Sequence, residues 1–181
     1  MKQLILSLKE QIGDCKRKET SACKLKSPFE IVSSKIFFVF DDIRDEKEQP
    51  AQIVNSGDYQ LTVRNSDQKD ICFIKTDKCL LTDDNKKCDC ILFSEDQFFM
   101  IEISESRAKN AKRRDAIQQL GNTIEILRAN KIDLKKYQTT AVICFKSGKN
   151  YPAEASLNTK RELFRSKYNV LLEEGNNIEF I

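Results

Sequence analysis

The sequence contains no histidine, no apolar run of membrane-spanning length, no internal repeat and no low-complexity segment. Lacking such a run, it is not expected to place a helix across a membrane. Lacking repeats and biased segments, its 181 residues read as one domain over residues 1–181, long enough to bury a core without staples. A strong charge excess is missing too: 31 Lys and Arg against 28 Asp and Glu leave only +3. Any polyanion partner must therefore be argued from clustering of bases. The opening stretch "MKQLILSLKEQIGD" interrupts its apolar residues with Ser7, Lys9 and Glu10, unlike a secretory leader, so a cytoplasmic location is expected.

The absent histidines bear on the seven cysteines. Cys72, Cys79, Cys88 and Cys90 lie close together, but no Cys-x-x-Cys pair is present and no imidazole could complete a zinc site. Reduced, buried structural thiols are expected instead. On an extended strand Cys88 and Cys90 share one face, with Asp89 on the other.

Leu4, Ile5, Leu8 and Ile12 fall on one helical face, and Gly13 ends that helix. A basic loop containing Lys16, Arg17, Lys18, Lys24 and Lys26 follows. "FEIVSSKIFFVF", "YQLTVRN" and "ICFIKTDKCLL" are rich in β-branched and aromatic residues and read as extended chain. "RDEKEQPAQ" reads as a polar connection. A long helix is expected from about Ser106 to Asn130, with Ile117, Leu120, Ile124 and Leu127 as its buried stripe. "TTAVICF" is apolar throughout, as in a central strand covered on both faces. A last helix, capped by Asn158 or Thr159, should run to about Leu172 with Leu163, Phe164 and Tyr168 inward, and "IEFI" should add a short strand. The expected class is α/β or α+β, with a single mixed sheet flanked by helices.

"CDCILFSEDQFFMIEIS" carries the functional argument. Two strands around a tight turn at Glu95 and Asp96 pair Phe93 with Phe98, Leu92 with Phe99, Ile91 with Met100 and Cys90 with Ile101. Continued, that register sets Asp89 opposite Glu102 and Lys87 opposite Ser104. Directly opposed carboxylates, about 5 Å apart at Cβ, destabilise a ladder unless something compensates them. A divalent cation does so, and Mg²⁺ binds through one or two carboxylates while keeping positions for water and phosphate oxygens.

Asp89, the later Glu102-Ile103-Ser104 and the basic helix after them resemble the core of the PD-(D/E)XK superfamily, the restriction-endonuclease-like fold. The motif spans about residues 86–127, and the matching order of elements about 1–145. The resemblance implies a nuclease that hydrolyses phosphodiesters with Mg²⁺ or Mn²⁺, of a kind found in restriction and other defence systems. Asp89 and Glu102 would be metal ligands, with the Ile103 carbonyl as a third. Ser104 stands where the family carries its catalytic lysine and brings no charge. Lys87, from the facing strand, is the expected replacement, while Glu10 on the first helix is a weaker candidate for a further acid. Gln118 and Gln119 lie on the helix whose glutamines orient substrate or metal-bound water in some members.

Arg107, Lys109, Lys112, Arg113 and Arg114 fill the first turns of that helix, where the macrodipole disfavours cations. Their expected partner is the backbone of nucleic acid, and the resemblance favours DNA over RNA. A homodimer or protein partner is compatible with the resemblance; no membrane partner is expected. Two other readings remain open. One is a catalytically degenerate nuclease fold that binds nucleic acid or protein. The other is an interaction module in which Asp89 and Glu102 pair with Lys87 and Arg107.

Overall fold

The computed structural model describes residues 1–15, 27–42, 49–81, 86–104, 109–145 and 155–181, with the side chains of 109–111 and 155–157 outside that description. The elements follow in the order α1 (Lys2–Gln11), β1 (Phe29–Val32), β2 (Ile36–Phe40), β3 (Gln52–Val54), β4 (Leu61–Asn65), β5 (Ile71–Lys75), β6 (Cys90–Phe93), β7 (Gln97–Ser104), α2 (Lys109–Ala129), β8 (Gln138–Phe145), α3 (Ala155–Tyr168), β9 (Leu171–Glu174) and β10 (Asn177–Phe180). A short 3-10 turn at Leu134–Lys136 precedes β8.

The class is α+β, built on two mixed sheets rather than the single sheet expected. The larger has the order β1-β5-β6-β7-β8-β9; the smaller has β10-β4-β2-β3. In the larger sheet β1, β5, β6 and β7 run antiparallel, and β7, β8 and β9 run parallel. The parallel pairs require crossovers, which α2 and α3 supply. β7 and β8 are covered on both faces, so most of their residues are buried and their apolar runs are long.

Alternation along the strands sorts the interior into two layers. Ile74, Ile91, Phe93, Phe98, Met100, Ala141 and Ile143 face the helices, meeting Leu4 and Leu8 of α1, Leu120, Ile124 and Leu127 of α2, and Phe164 and Tyr168 of α3. Full burial of each such aliphatic side chain contributes about 2 kcal/mol. Ile71, Phe73, Leu92, Phe99, Ile101 and Val142 face the second sheet and meet Phe37, Val39, Leu61, Val63, Ile178 and Phe180. The helices therefore cover one face only, and the second sheet takes the place of helices on the other.

Four expectations fail locally. α3 begins at Ala155, so Asn158 and Thr159 lie within the helix and do not cap it. α3 stops at Tyr168, where Asn169 turns to φ +52°, and Leu171–Glu174 forms a strand instead of the helix's last turn. Leu163 is 66% exposed, one step of the helix away from buried Phe164. Gln52, the last residue of the expected polar connection, opens β3, which pairs with β2. By contrast α1 ends as expected at Gly13, whose φ of +114° lets its amide reach back to the Leu8 carbonyl at 3.2 Å.

Candidate functional site

The hairpin register holds at Phe93–Phe98, Leu92–Phe99, Ile91–Met100 and Cys90–Ile101, and the turn is closed by Ser94, whose amide donates to the Gln97 carbonyl at 2.9 Å. At Asp89 the regular ladder stops. Its amide donates to the Ile101 carbonyl at 3.0 Å, so Asp89 and Cys90 both face Ile101, as in a bulge. The Ile103 amide, which the continued ladder would have paired with the opposite backbone, donates to Asp89 Oδ2 at 2.6 Å. The irregularity also separates the neighbouring cysteines. Cys88 enters the helix-side core and Cys90 the inter-sheet core, so they do not share the face that plain alternation predicts.

Asp89 and Glu102 line one cavity of about 450 Å³ at the mouth between the two sheets and the start of α2. Glu102 is 6% exposed on the helix side of β7, where Gln119 of α2 donates to its Oε1 at 2.7 Å. The same Gln119 amide donates to the Lys87 carbonyl at 3.2 Å, fixing its orientation. Glu102 Oε2 is buried, with no hydrogen-bond donor among the described residues. Burial pushes the Glu102 carboxyl well above the usual range, and Asp89, Asp41 and Asp77 add repulsion against the weaker pull of Gln119. Asp89 is raised too, by burial first and then by Asp41, although the Ile103 amide favours its ionised form.

Asp41 was not anticipated as a site residue. It follows β2 in the second sheet, is 5% exposed and lines the same cavity. Buried Gln60 clamps its backbone twice: Asp41 N–H donates to Gln60 Oε1 at 2.9 Å, and Gln60 Nε2 donates to the Asp41 carbonyl at 2.8 Å. In the sequence the polar pair Asp41-Asp42 follows an apolar strand, a pattern that by itself marks only a strand end. Asp77 comes from the turn after β5, whose Thr76 and Asp77 amides hold the Asp89 carbonyl at 3.0 and 3.3 Å. Next to it, Lys78 lines the cavity, and its charge favours ionised Asp89.

Lys87 does not take the expected place. The ladder ends before it could pair with Ser104, and Lys87 is 4% exposed and absent from the side chains lining the cavity. Ser104 and Ile103 do line it. Lys78, Lys86 and Lys112 are the lysines there, with Lys86 Nζ 3.8 Å from Asp115. No ion pair joins Asp89 or Glu102 to Lys87 among the described residues.

The basic turn of α2 fans out instead of forming one surface, because successive helical residues point about 100° apart. Exposed Lys112 faces the cavity, and exposed Arg114 faces a separate groove against α3 that also receives Gln118. Arg113 is 3% exposed and grips Glu174 at the end of β9 through Nε and through Nη2 at 3.2 Å, so its charge serves the fold rather than a bound backbone. Arg107 and the Lys109 side chain lie outside the described residues. Glu10 is exposed and does not line the cavity.

Among the described residues no three His, Cys, Asp or Glu side chains converge closely enough to hold one metal ion. The six described cysteines are buried thiols; burial pushes Cys72 and Cys144 up to about 12 and raises Cys88 and Cys90 as well, consistent with packing roles for those four. No helix among the described residues is long and apolar enough to cross a membrane. No family model, curated protein or solved structure matches the chain.

Proposed function

We propose that the chain is a PD-(D/E)XK-like nuclease domain that hydrolyses phosphodiester bonds of nucleic acid, DNA in preference to RNA, with Mg²⁺ or Mn²⁺. The observation that carries this reading is Glu102 Oε2, a buried carboxylate oxygen with no donor among the described residues, in a cavity shared with Asp89. Such a group costs several kcal/mol to keep ionised unless a cation meets it. Asp89 and Glu102 would hold the ion, and two protein carboxylates with water in the remaining positions suit Mg²⁺ without a third close ligand. Bound there, the cation would lower the pKa of a coordinated water and offset negative charge on a phosphate.

The chain's own groups supply the rest. Gln119 orients Glu102 by anchoring one carboxylate oxygen. The Ile103 amide orients Asp89 in the same way. Asp41, fixed by Gln60, strengthens the negative field that attracts a cation. Lys78 and Lys112 face the cavity and can neutralise phosphate oxygens that Ser104 cannot. The order α1, antiparallel β5-β6-β7, α2 and parallel β8 also agrees with what the resemblance implies.

Ser104 in the cavity supports a second reading, a degenerate domain that binds metal and nucleic acid without cleaving. Incubation with plasmid DNA, single-stranded DNA and RNA in Mg²⁺ or Mn²⁺ separates the two. The nuclease reading expects cleavage by the wild type, lost in Asp89→Asn and Glu102→Gln and at least tenfold slower in Lys78→Ala. Metal-dependent binding without cleavage would favour the degenerate domain.

A further inference from the structure

Cys15 and Cys79 form a small buried cluster of their own, away from both cores. They are 3% and 0% exposed, and their sulfurs stand 3.0 Å apart across a sequence separation of 64 residues. About 1 Å of further approach would reach disulfide bonding distance. Cys15 lies just beyond α1, its amide donating to Asp14 Oδ1 at 2.8 Å. Cys79 lies in the turn after β5, where Leu80 N–H donates to the Lys75 carbonyl at 3.1 Å and Leu81 N–H to the Thr76 carbonyl at 2.9 Å. That turn also grips the Asp89 carbonyl and carries Lys78 into the acid cavity.

We propose that Cys15 and Cys79 are a redox-reversible dithiol, whose intrachain disulfide pins the turn at residues 76–81, and with it the backbone of Asp89, to the end of α1. The co-reactant is a small disulfide such as oxidised glutathione. One cysteine thiolate attacks it, forming a mixed disulfide and releasing one glutathione thiolate. The second cysteine attacks its partner's sulfur and displaces the other glutathione. Two protons leave the cysteines, which are oxidised, and two glutathione thiols are formed by reduction. Burial makes the first step wait for local opening of the turn, so closure is slow but selective. Cys72, Cys88, Cys90 and Cys144 are dispersed through the two main cores.

The test is a titration of the full chain against oxidised and reduced glutathione, quenched by alkylation and mapped by mass spectrometry. The expected product is two hydrogens lighter, carries a cross-link between the Cys15 and Cys79 peptides, and reverts with dithiothreitol. Its Tm should rise by about 10 °C, and amide exchange at residues 76–81 should slow. Cys15→Ser and Cys79→Ser should each lose the cross-link. Cross-links confined to other cysteines, or glutathione adducts on Cys15 or Cys79 that never close, would overturn the proposal. Neither readout requires nuclease activity.

Discussion

Replacing Glu102 by glutamine should stabilise the metal-free protein at pH 8. Among the described residues, Glu102 accepts one 2.7 Å hydrogen bond on one oxygen and none on the other, and it faces repulsion from Asp89, Asp41 and Asp77. The folded chain therefore retains the Glu102 proton to a higher pH than the unfolded chain does. Stability from that proton is complete below the unfolded carboxyl pKa of about 4.3 and is lost as pH rises through the folded value. Each unit of upward shift costs about 1.4 kcal/mol at high pH. Glutamine keeps the shape and the acceptor for Gln119, and removes the buried charge that Asp89, Asp41 and Asp77 repel. A gain of about 1–3 kcal/mol is expected at pH 8, seen as a Tm rise of about 3–9 °C without metal. Near pH 4.5 the difference should shrink towards zero. Thermal unfolding of both proteins across pH 4.5–8.5 with a chelator present measures this directly. An E102Q variant less stable than wild type at pH 8, or parallel pH profiles, would refute the electrostatic reasoning.

Arg113→Ala leaves Glu174 without its buried partner and should cost about 3–5 kcal/mol in denaturant unfolding, with no specific change in nucleic-acid affinity at temperatures where the variant is folded. Gln60→Ala removes both hydrogen bonds on the Asp41 backbone and should cost about 2–4 kcal/mol, together with a weaker Mn²⁺ affinity. Lys78→Ala keeps the left-handed backbone at φ +59° no more strained than lysine does, so its Tm should stay within about 2 °C of wild type while cleavage slows.

Much of the fold was legible because its signals were local. The stripe Leu120, Ile124 and Leu127 and the hairpin pairs from Phe93–Phe98 to Cys90–Ile101 follow from period and turn chemistry alone. The departure at Asp89 was not legible, because a side-chain carboxylate, not a backbone carbonyl, takes the Ile103 amide. That one substitution moved Lys87 off the expected site. Asp41 was missed for a different reason: its role depends on the second sheet packing over the first, which no local pattern announces. Arg113 looked like part of a basic surface, yet its partner Glu174 lies 61 residues away. β9 was hidden because Leu171 and Leu172 continue the helical spacing of Phe164 and Tyr168, although the chain has already left the helix at Asn169.

Calorimetric titration of Mn²⁺ into the wild type, Asp89→Asn and Glu102→Gln proteins tests the central claim most directly. Saturable binding by the wild type, lost in both variants while their folds persist, is the predicted result. Absence of binding by the wild type, or binding that survives both substitutions, would contradict a metal site built on Asp89 and Glu102.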